Sequence, residues 1–444
     1  MRKSNCQNKS MFKLIRLTVF FQALGYLLQF GAFFLFAKML GAENQGILTI
    51  FRASGQIVAS LLLFGLPGGI VYFVGKDRDL LLPVLGNCVK LFLVVFPLLA
   101  LFLYILPIDK LPKVYLIGKY IPYLLVFVFF LSFFGIFQLS ILSLKKYLYY
   151  NLFAFGAGFI MFGFSVSIWF TPDIYNKLNL AIIAYLVTYG LMFTYGAALI
   201  FNENGKVKNR KKWLPFVEQF KVGFRGFISN LAGLLLFRLD LFLVGYFLSL
   251  KDVGVYSIAL FGAEMVTKIP GWSAAILTPM VASNEGGHVR RTVYLFYSAI
   301  IIALLLGVFF VLGIMMVPDF VSNLIGKDFT GVEICLLLLL PRVVMQSGVG
   351  ILAANLAGKG YPWYHPGGNI AGLIFVVLLD LLLIPRYGIA GAALANSLGY
   401  GACLLINYLG FCKYNDTSVN NMISLFKLFI IDIKTKLKIG CING

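Results

Sequence analysis

Long apolar runs separated by short polar turns dominate the chain. A run of about 18 or more apolar residues with few charges is long enough to cross the hydrocarbon core of a bilayer as a helix. Such runs fall near 14–38, 47–74, 82–106, 120–144, 151–170, 179–201, 225–248, 254–281, 292–317, 331–357, 366–385 and 388–412. They predict an all-α integral membrane protein with about 12 transmembrane helices. The first run follows basic residues, as the apolar core of a signal peptide would. It continues too far and lacks a small-residue cleavage site, so it reads as the first helix. The pattern divides the chain into an N-terminal six-helix lobe (1–201), a basic linker (202–224), a C-terminal six-helix lobe (225–412) and a tail (413–444). The tail segment "NNMISLFKLFIIDIKTKLKIG" is too short to span and mixes Lys427, Lys434, Lys436 and Lys438 with aliphatics. It reads as an amphipathic helix lying at the cytoplasmic interface.

Composition agrees with this pattern. Hydrophobic residues make up 60% and charged residues 12% of the chain, against about 25% charged in soluble proteins. The net charge of +20 reports orientation. With the N-terminus inside, cytoplasmic segments hold 23 of the 37 Lys and Arg and external loops hold seven. Cytoplasmic loops attract Lys and Arg, so both termini are placed in the cytoplasm. The linker run "GKVKNRKKW" fits a cytoplasmic stop signal that touches anionic lipid. No basic patch interleaved with aromatics lies on a soluble domain, so no nucleic-acid partner is expected.

Enzyme chemistry finds little foothold. Six scattered cysteines form no CxxC, and the two histidines, His288 and His365, are far apart. No disulfide framework, metal centre or cofactor is expected. No catalytic residue is assigned, because no phosphate-binding loop, nucleophile elbow or zinc-protease motif occurs. The informative residues are charges within spans. One charge at a helix centre costs about 2.5–3.5 kcal/mol on insertion scales, so such residues face a cavity or each other. Arg52, Lys90, Arg225, Arg238, Lys268 and Arg342 are the basic ones; Asp240, Glu264, Glu333 and Asp380 the acidic ones.

Arg238 precedes Lys251 by 13 residues and Glu264 follows it by 13. In an antiparallel hairpin the two share a depth, and Lys268 lies one turn from Glu264. An ion-pair cluster of Arg238, Glu264 and Lys268 is therefore expected, either structural or lining a water-filled cavity. Asp240 is the acid left over and the candidate for proton or sodium coupling. Arg52 and Arg342 have no obvious local partner and read as cavity cations that bind an anion. Lys90 and Arg225 lie nearer the cytoplasmic face and can snorkel to it. Glu333 and Asp380 lie near the outer ends and are expected to reach water. The basic excess within spans suits a phosphate or pyrophosphate head group, since Arg pairs bidentately with phosphate oxygens. Arg52, Arg342, Arg225 and Lys268 are the candidate pyrophosphate ligands.

Pro67, Pro270 and Pro341 fall within predicted spans, where proline bends a helix. A weak internal repeat adds to the picture. "FAKMLGAENQGILTIF" and "GYFLSLKDVGVYSIAL" each end an apolar helix, close a polar turn on Gly46 or Gly254 and start another helix, at an offset of 208 residues. "IWFTP" and "LLLIP" likewise end two spans, at Pro172 and Pro385. Two repeats in one orientation imply a pseudo-two-fold axis along the membrane normal.

Three segments carry a resemblance to a known family. They are "AKMLGAENQGILTIFRASGQIVASLLLFGLPGGIVYFVG", "FRLDLFLVGYFLSLKDVGVYSIALFGAEMVTKIPGWSAAILTPMVAS" and "GKGYPWYHPGGNIAGLIFVVLLDLLLIPRYGIAGAALANSLGY". The chain resembles the O-antigen-type (Wzx) polysaccharide flippases of the multidrug/oligosaccharidyl-lipid/polysaccharide exporter superfamily, with its MATE-like fold. Arg238, Asp240, Gly254, Pro270, Pro385, Gly388 and Gly391 stand at matching positions; Asp380 stands where the family more often has Asn. The resemblance implies movement of an undecaprenyl-pyrophosphate-linked oligosaccharide across a bacterial inner membrane by alternating access. It also implies neighbours such as a polysaccharide polymerase and other assembly proteins. A drug/cation antiporter of the same superfamily is the main alternative. A membrane polysaccharide polymerase is less favoured, because no external loop is long enough to hold its chemistry.

Overall fold

The structure is a computed structural model. It describes residues 2–105, 118–172, 174–204, 213–282, 287–316, 320–360, 363–418, 420–422 and 424–431. The basic linker run from Lys206 to Lys212 and the tail lysines Lys434, Lys436 and Lys438 lie outside the described residues. So do the side chains of Arg225 and Pro270.

The described residues form helices and no strands. The long ones are α1 (Arg2–Leu62), α2 (Leu66–Lys76), α3 (Leu81–Ile105), α4 (Ile121–Ser143), α5 (Tyr147–Trp169), α6 (Lys177–Asn204), α7 (Phe216–Phe247), α8 (Leu250–Ala282), α9 (His288–Met316), α10 (Val332–Gly358) and α11 (Tyr364–Tyr414). Nine helices among the described residues are long and apolar enough to cross a membrane. Two of these, α1 and α11, are divided by a single non-helical glycine. Gly41 sits at φ 70°, ψ 173° and Gly388 at φ 60°, ψ −142°. Both values lie where a Cβ is strained, so glycine turns the chain there without a loop. The expected loops after spans 1 and 11 are thereby reduced to one residue each. Pro385 lies inside α11 rather than ending it.

Pro67 also behaves differently from expectation. The chain leaves the helix at Phe64 (φ 39°) and Gly65 (φ 81°), and Pro67 opens the first turn of α2. There its missing N–H has no helical partner to lose and its fixed φ suits the start. Pro341 does lie within its helix, α10.

The chain forms two compact units. Unit 1 comprises Met1–Leu231, Leu248–Ile258 and Ile325–Phe329; unit 2 comprises Ala232–Phe247, Ala259–Leu324 and Thr330–Gly444. Helix α7 thus begins in unit 1 and ends in unit 2. A hydrogen-bonded side chain fixes its beginning. Gln219, fully buried, accepts from Asn87 Nδ2 (3.0 Å) and donates to the Leu66 carbonyl (3.1 Å) and the Val84 carbonyl (3.3 Å). Asn87 also donates to the Leu214 carbonyl at 3.2 Å. In this apolar setting such groups must be paired, so the start of α7 is stapled to α2 and α3.

The core of unit 1 is aromatic. Phe92, Phe129, Phe133, Phe137 and Phe193 form a continuous set of ring contacts, with centroids 5.1 Å apart for Phe92 and Phe133 and 5.7 Å for Phe137 and Phe193. Unit 2 packs Leu277, Val293, Phe296, Ile351, Leu352 and Phe411 together, and Met422 of the tail joins this cluster. Phe426 and Phe429 of the tail stack against Tyr297 of α9. The described part of the tail is helical and docked by these aromatics, with Lys427, Leu428 and Ile431 exposed.

The repeat at an offset of 208 residues has a structural counterpart within unit 1. A Cβ on Gly46 would overlap the Leu250 carbonyl, and a Cβ on Gly254 would overlap the Ala42 carbonyl. Residues 42 and 46 thus face 254 and 250 reciprocally, as an isologous contact requires. Both glycines are helical rather than turn residues. Their role is close backbone approach, and the turns are made elsewhere, by Gly41 in the first case.

Candidate functional site

Unit 2 gathers most of the charges singled out in the sequence. Arg238 and Asp240 lie on α7, Glu264 and Lys268 on α8, Arg342 on α10, and Asp380 and Asn396 on the two arms of α11. Glu264 is the centre of one group. Its carboxylate lies 3.6 Å from Arg238 Nη2 and 3.2 Å from Lys268 Nζ. Two bases share one acid, so this group carries a net positive charge.

Arg342 forms the second group. It is fully buried, and among the described residues Nε, Nη1 and Nη2 meet no acceptor at hydrogen-bonding geometry. Its guanidinium lies over the rings of Phe237 (4.5 Å) and Tyr400 (5.0 Å). The flat cation is weakly hydrated and can lie against aromatic faces. Apart from the neighbouring Tyr400 hydroxyl, its donors face no acceptor among the described residues. Arg342 also acts electrostatically on Glu264, which joins the two groups.

The third group is acidic. Asp240 is fully buried; its Oδ1 accepts the Leu241 N–H at 2.9 Å and its Oδ2 accepts Asn396 Nδ2 at 2.8 Å. Asp380 is fully buried within electrostatic range of Asp240, and among the described residues neither of its oxygens has a partner. Asn396 Oδ1 has none either. Two carboxylates and an amide oxygen in one buried place are a receptor for a cation or a proton. The expectation that Asp380 reaches water is wrong. Its position near the end of a predicted span suggested exposure, but α11 continues two turns past it to Gly388 and Asp380 is buried. Glu333 is also buried, at 6% exposure, rather than facing water.

Asn396, Tyr400 and Phe237 went unremarked in the sequence. Asn396 could have been found: Asp380 and Asn396 lie eight residues either side of Gly388, so the two arms hold them at one depth. Tyr400 follows one turn beyond Asn396, and Phe237 lies one turn before Asp240. The Asp240–Asn396 contact and the Phe237–Arg342–Tyr400 sandwich are therefore adjacent layers on the same two helices, about 5.4 Å apart along their axes.

Arg52 lies in unit 1. Its guanidinium sits over Tyr185 (5.0 Å) and Phe33 (5.4 Å). Gln45, Thr49 and Arg52 follow at helical spacing on α1, and among the described residues the buried Gln45 and Thr49 side chains have no hydrogen-bond partner. Lys90 is exposed on α3. Among the described residues no cluster of three or more His, Cys, Asp or Glu could hold a metal ion.

The fold is that of the MOP-superfamily transporters. An inward-facing MATE family multidrug transporter superposes with a TM-score of 0.66 at 15% identity, over 93% of this chain and 99% of that one. The lipid II flippase MurJ gives 0.60 at 13% identity, over 96% and 90%. In sequence, the probable low-salt glycan biosynthesis flippase Agl15 of Haloferax volcanii is 22% identical over 410 residues, which is 88% of this chain and 80% of that protein. A family profile described as polysaccharide biosynthesis protein matches residues 13–283, more than half of the chain. The chain belongs to the polysaccharide biosynthesis protein family.

Proposed function

We propose that this protein is a flippase that moves a lipid-linked oligosaccharide across the membrane, recognising the phosphate-bearing head group through Arg342. The observation that carries this reading is the buried guanidinium with three unpartnered nitrogens, flanked by the positive Arg238–Glu264–Lys268 group. A pyrophosphate supplies the acceptors such a cation lacks. Lys268 adds charge on the same side. Arg52 is the cation of unit 1 that assists, and Arg225 is a further candidate on α7. Family membership and the flippase relative support the class of cargo. The finer reading is an undecaprenyl-pyrophosphate-linked O-antigen or other surface-polysaccharide unit. It is moved by alternating access in a bacterial inner membrane, with both termini cytoplasmic and a polysaccharide polymerase downstream. The excess of Lys and Arg in the inside segments supports the orientation. Asp240, with Asp380 and Asn396, binds the coupling cation or proton.

A drug/cation antiporter is the second reading, favoured by the MATE-like fold and the buried acid pair. The unpartnered Arg342 beside that pair opposes it, because a cationic drug would meet an uncompensated positive charge. The test is flipping of a pyrophosphate-linked oligosaccharide by purified protein in liposomes, with and without Arg342→Ala. Activity lost in the mutant supports the assignment. Activity retained removes Arg342 from the site, and cation efflux without flipping installs the antiporter.

A further inference from the structure

The end of unit 2 that carries the C-terminal tail has a charged and apolar surface that the transport site does not use. Three helix ends meet there. Asn415 Nδ2 donates to Asn355 Oδ1 at 3.0 Å, and Asn355 Nδ2 donates to Thr292 Oγ1 at 3.0 Å. These bonds tie the end of α11 to the end of α10 and the start of α9. The tail helix lies against α9. Met422, Phe426 and Phe429 pack on Tyr294 and Tyr297, with ring centroids 4.5 Å apart for Phe426 and Tyr297 and 5.2 Å for Phe429 and Tyr294. The Tyr297 hydroxyl donates to the Met422 carbonyl at 3.5 Å. The three tail residues follow at helical spacing, so they occupy one side of the tail helix. The other side presents Lys427, Leu428 (45% exposed) and Ile431 (56% exposed). Arg290 marks the edge of the seam: its Nη2 donates to the Tyr294 hydroxyl at 2.9 Å, and the same ring meets Phe429.

Positive charge dominates this end. Among the described residues, exposed Arg290, Arg291, Lys359, Lys413 and Lys427 stand against exposed Asp416. In sequence the flanking stretches 283–286 and 432–444 add Glu285 and Asp432 against Lys434, Lys436 and Lys438, so the excess persists. Arg290 and Arg291 belong to the first turn of α9, which holds no acidic residue. The field of a helix start favours anions and disfavours cations, so an external anion would relieve this arrangement. We propose that the outer side of the tail helix and the start of α9 form a docking surface for anionic phospholipid of the surrounding leaflet. Phosphates meet Arg290, Arg291 and Lys427, and acyl chains cover Leu428 and Ile431. A free phosphate would answer the cations and leave the two aliphatic side chains in water; a lipid answers both. The bound lipid pins the tail to α9. Through Thr292, Asn355 and Asn415 it also steadies the ends of α10 and α11. This surface is independent of the anion site at Arg342.

The test uses the full chain in nanodiscs of three kinds at constant ionic strength: phosphatidylcholine alone, phosphatidylcholine with phosphatidylglycerol, and phosphatidylcholine with inorganic phosphate in the buffer. Amide hydrogen exchange across 420–431 is followed by mass spectrometry. Phosphatidylglycerol is expected to slow exchange about fivefold for each cation engaged, and free phosphate to leave it unchanged. The triple variant Arg290→Gln, Arg291→Gln, Lys427→Gln is expected to exchange at one rate in both lipids. A control with the same loss of charge at other exposed positions, Lys90→Gln, Lys119→Gln, Arg386→Gln, is expected to keep the slowing. Equal wild-type exchange in the two lipids overturns the proposal. So does slowing that survives in the first variant, or slowing that the control loses equally. Equal slowing by free phosphate makes the cations a soluble-anion site and overturns the lipid. If the first variant does not fold, Lys427→Gln alone decides: it must lose about fivefold of the slowing, and an unchanged effect overturns the docking surface.

Discussion

Units 1 and 2 bury different kinds of polar group. Among the described residues, the buried polar side chains of unit 1 are neutral: Gln45, Thr49, Asn87, Asn151, Thr188, Gln219 and several serines. Those of unit 2 include Asp240, Glu333, Arg342 and Asp380. The two therefore differ in buried charge. Buried ionised groups are weak evidence of stability, since replacing them with apolar residues is often neutral or favourable. Unit 1 shows what an interior without buried charges looks like: its core is a network of phenylalanines, and Arg52 is only half-buried, over Phe33 and Tyr185. Unit 2 keeps its charges at a cost in stability, and this contrast is why binding and coupling are proposed to occur there.

The largest test of this contrast is Arg342→Ala. Loss of a charge-assisted contact to phosphate is worth about 1.5–3 kcal/mol, so flipping is expected to fall roughly tenfold to a hundredfold after equal insertion is confirmed. A variant that flips at the wild-type rate would remove the functional distinction between the units.

The next effect concerns stability and unit 1. Gly254→Ala places a methyl group against the Ala42 carbonyl, and Gly46→Ala does the same against Leu250. Overpacking against backbone costs about 1–3 kcal/mol. The reciprocal geometry predicts similar losses from both, seen as matched decreases in melting temperature in detergent. A loss confined to one glycine would show that the contact is not reciprocal in energy. Gln219→Ala is expected to cost about 1–3 kcal/mol by removing the acceptor of one buried Asn87 N–H and the donor to the Leu66 and Val84 carbonyls. Limited proteolysis should then cut sooner near the start of α7.

Much of this was legible in the chain. Hydrophobic runs gave the all-α membrane fold because a span must be apolar over its whole length. The hairpin arithmetic around Lys251 brought Arg238 and Glu264 together because antiparallel helices hold equal offsets at equal depth. The same arithmetic around Gly388 would have paired Asp380 with Asn396, but the turn there is one glycine with no polar loop to announce it. Asp380 was placed near water for that reason. The aromatic partners of Arg342 were not readable at all. In a chain with 44 phenylalanines and 23 tyrosines, composition cannot say which ring a guanidinium meets. Gly46 and Gly254 were noticed, but a helical glycine in close backbone contact and a turn glycine look alike in sequence.

The smallest expected effect sharpens the comparison most. Arg52 is also a cation between two rings, so its chemistry resembles that of Arg342, but unit 1 offers it only neutral polar neighbours on α1, Gln45 and Thr49. Its removal strands no buried carboxylate. Arg52→Gln is therefore expected to reduce flipping by only about threefold to tenfold, the scale of a cation–π or partly screened phosphate contact. It should leave the sodium and pH dependence of activity unchanged. Arg342→Gln should alter both, because it removes a buried positive charge held one turn from the Asp240–Asn396 contact. Measuring rate against sodium and against pH for the two variants separates the roles. If Arg52→Gln shifts the ion dependence as much as Arg342→Gln does, coupling is not confined to the charged half of the molecule.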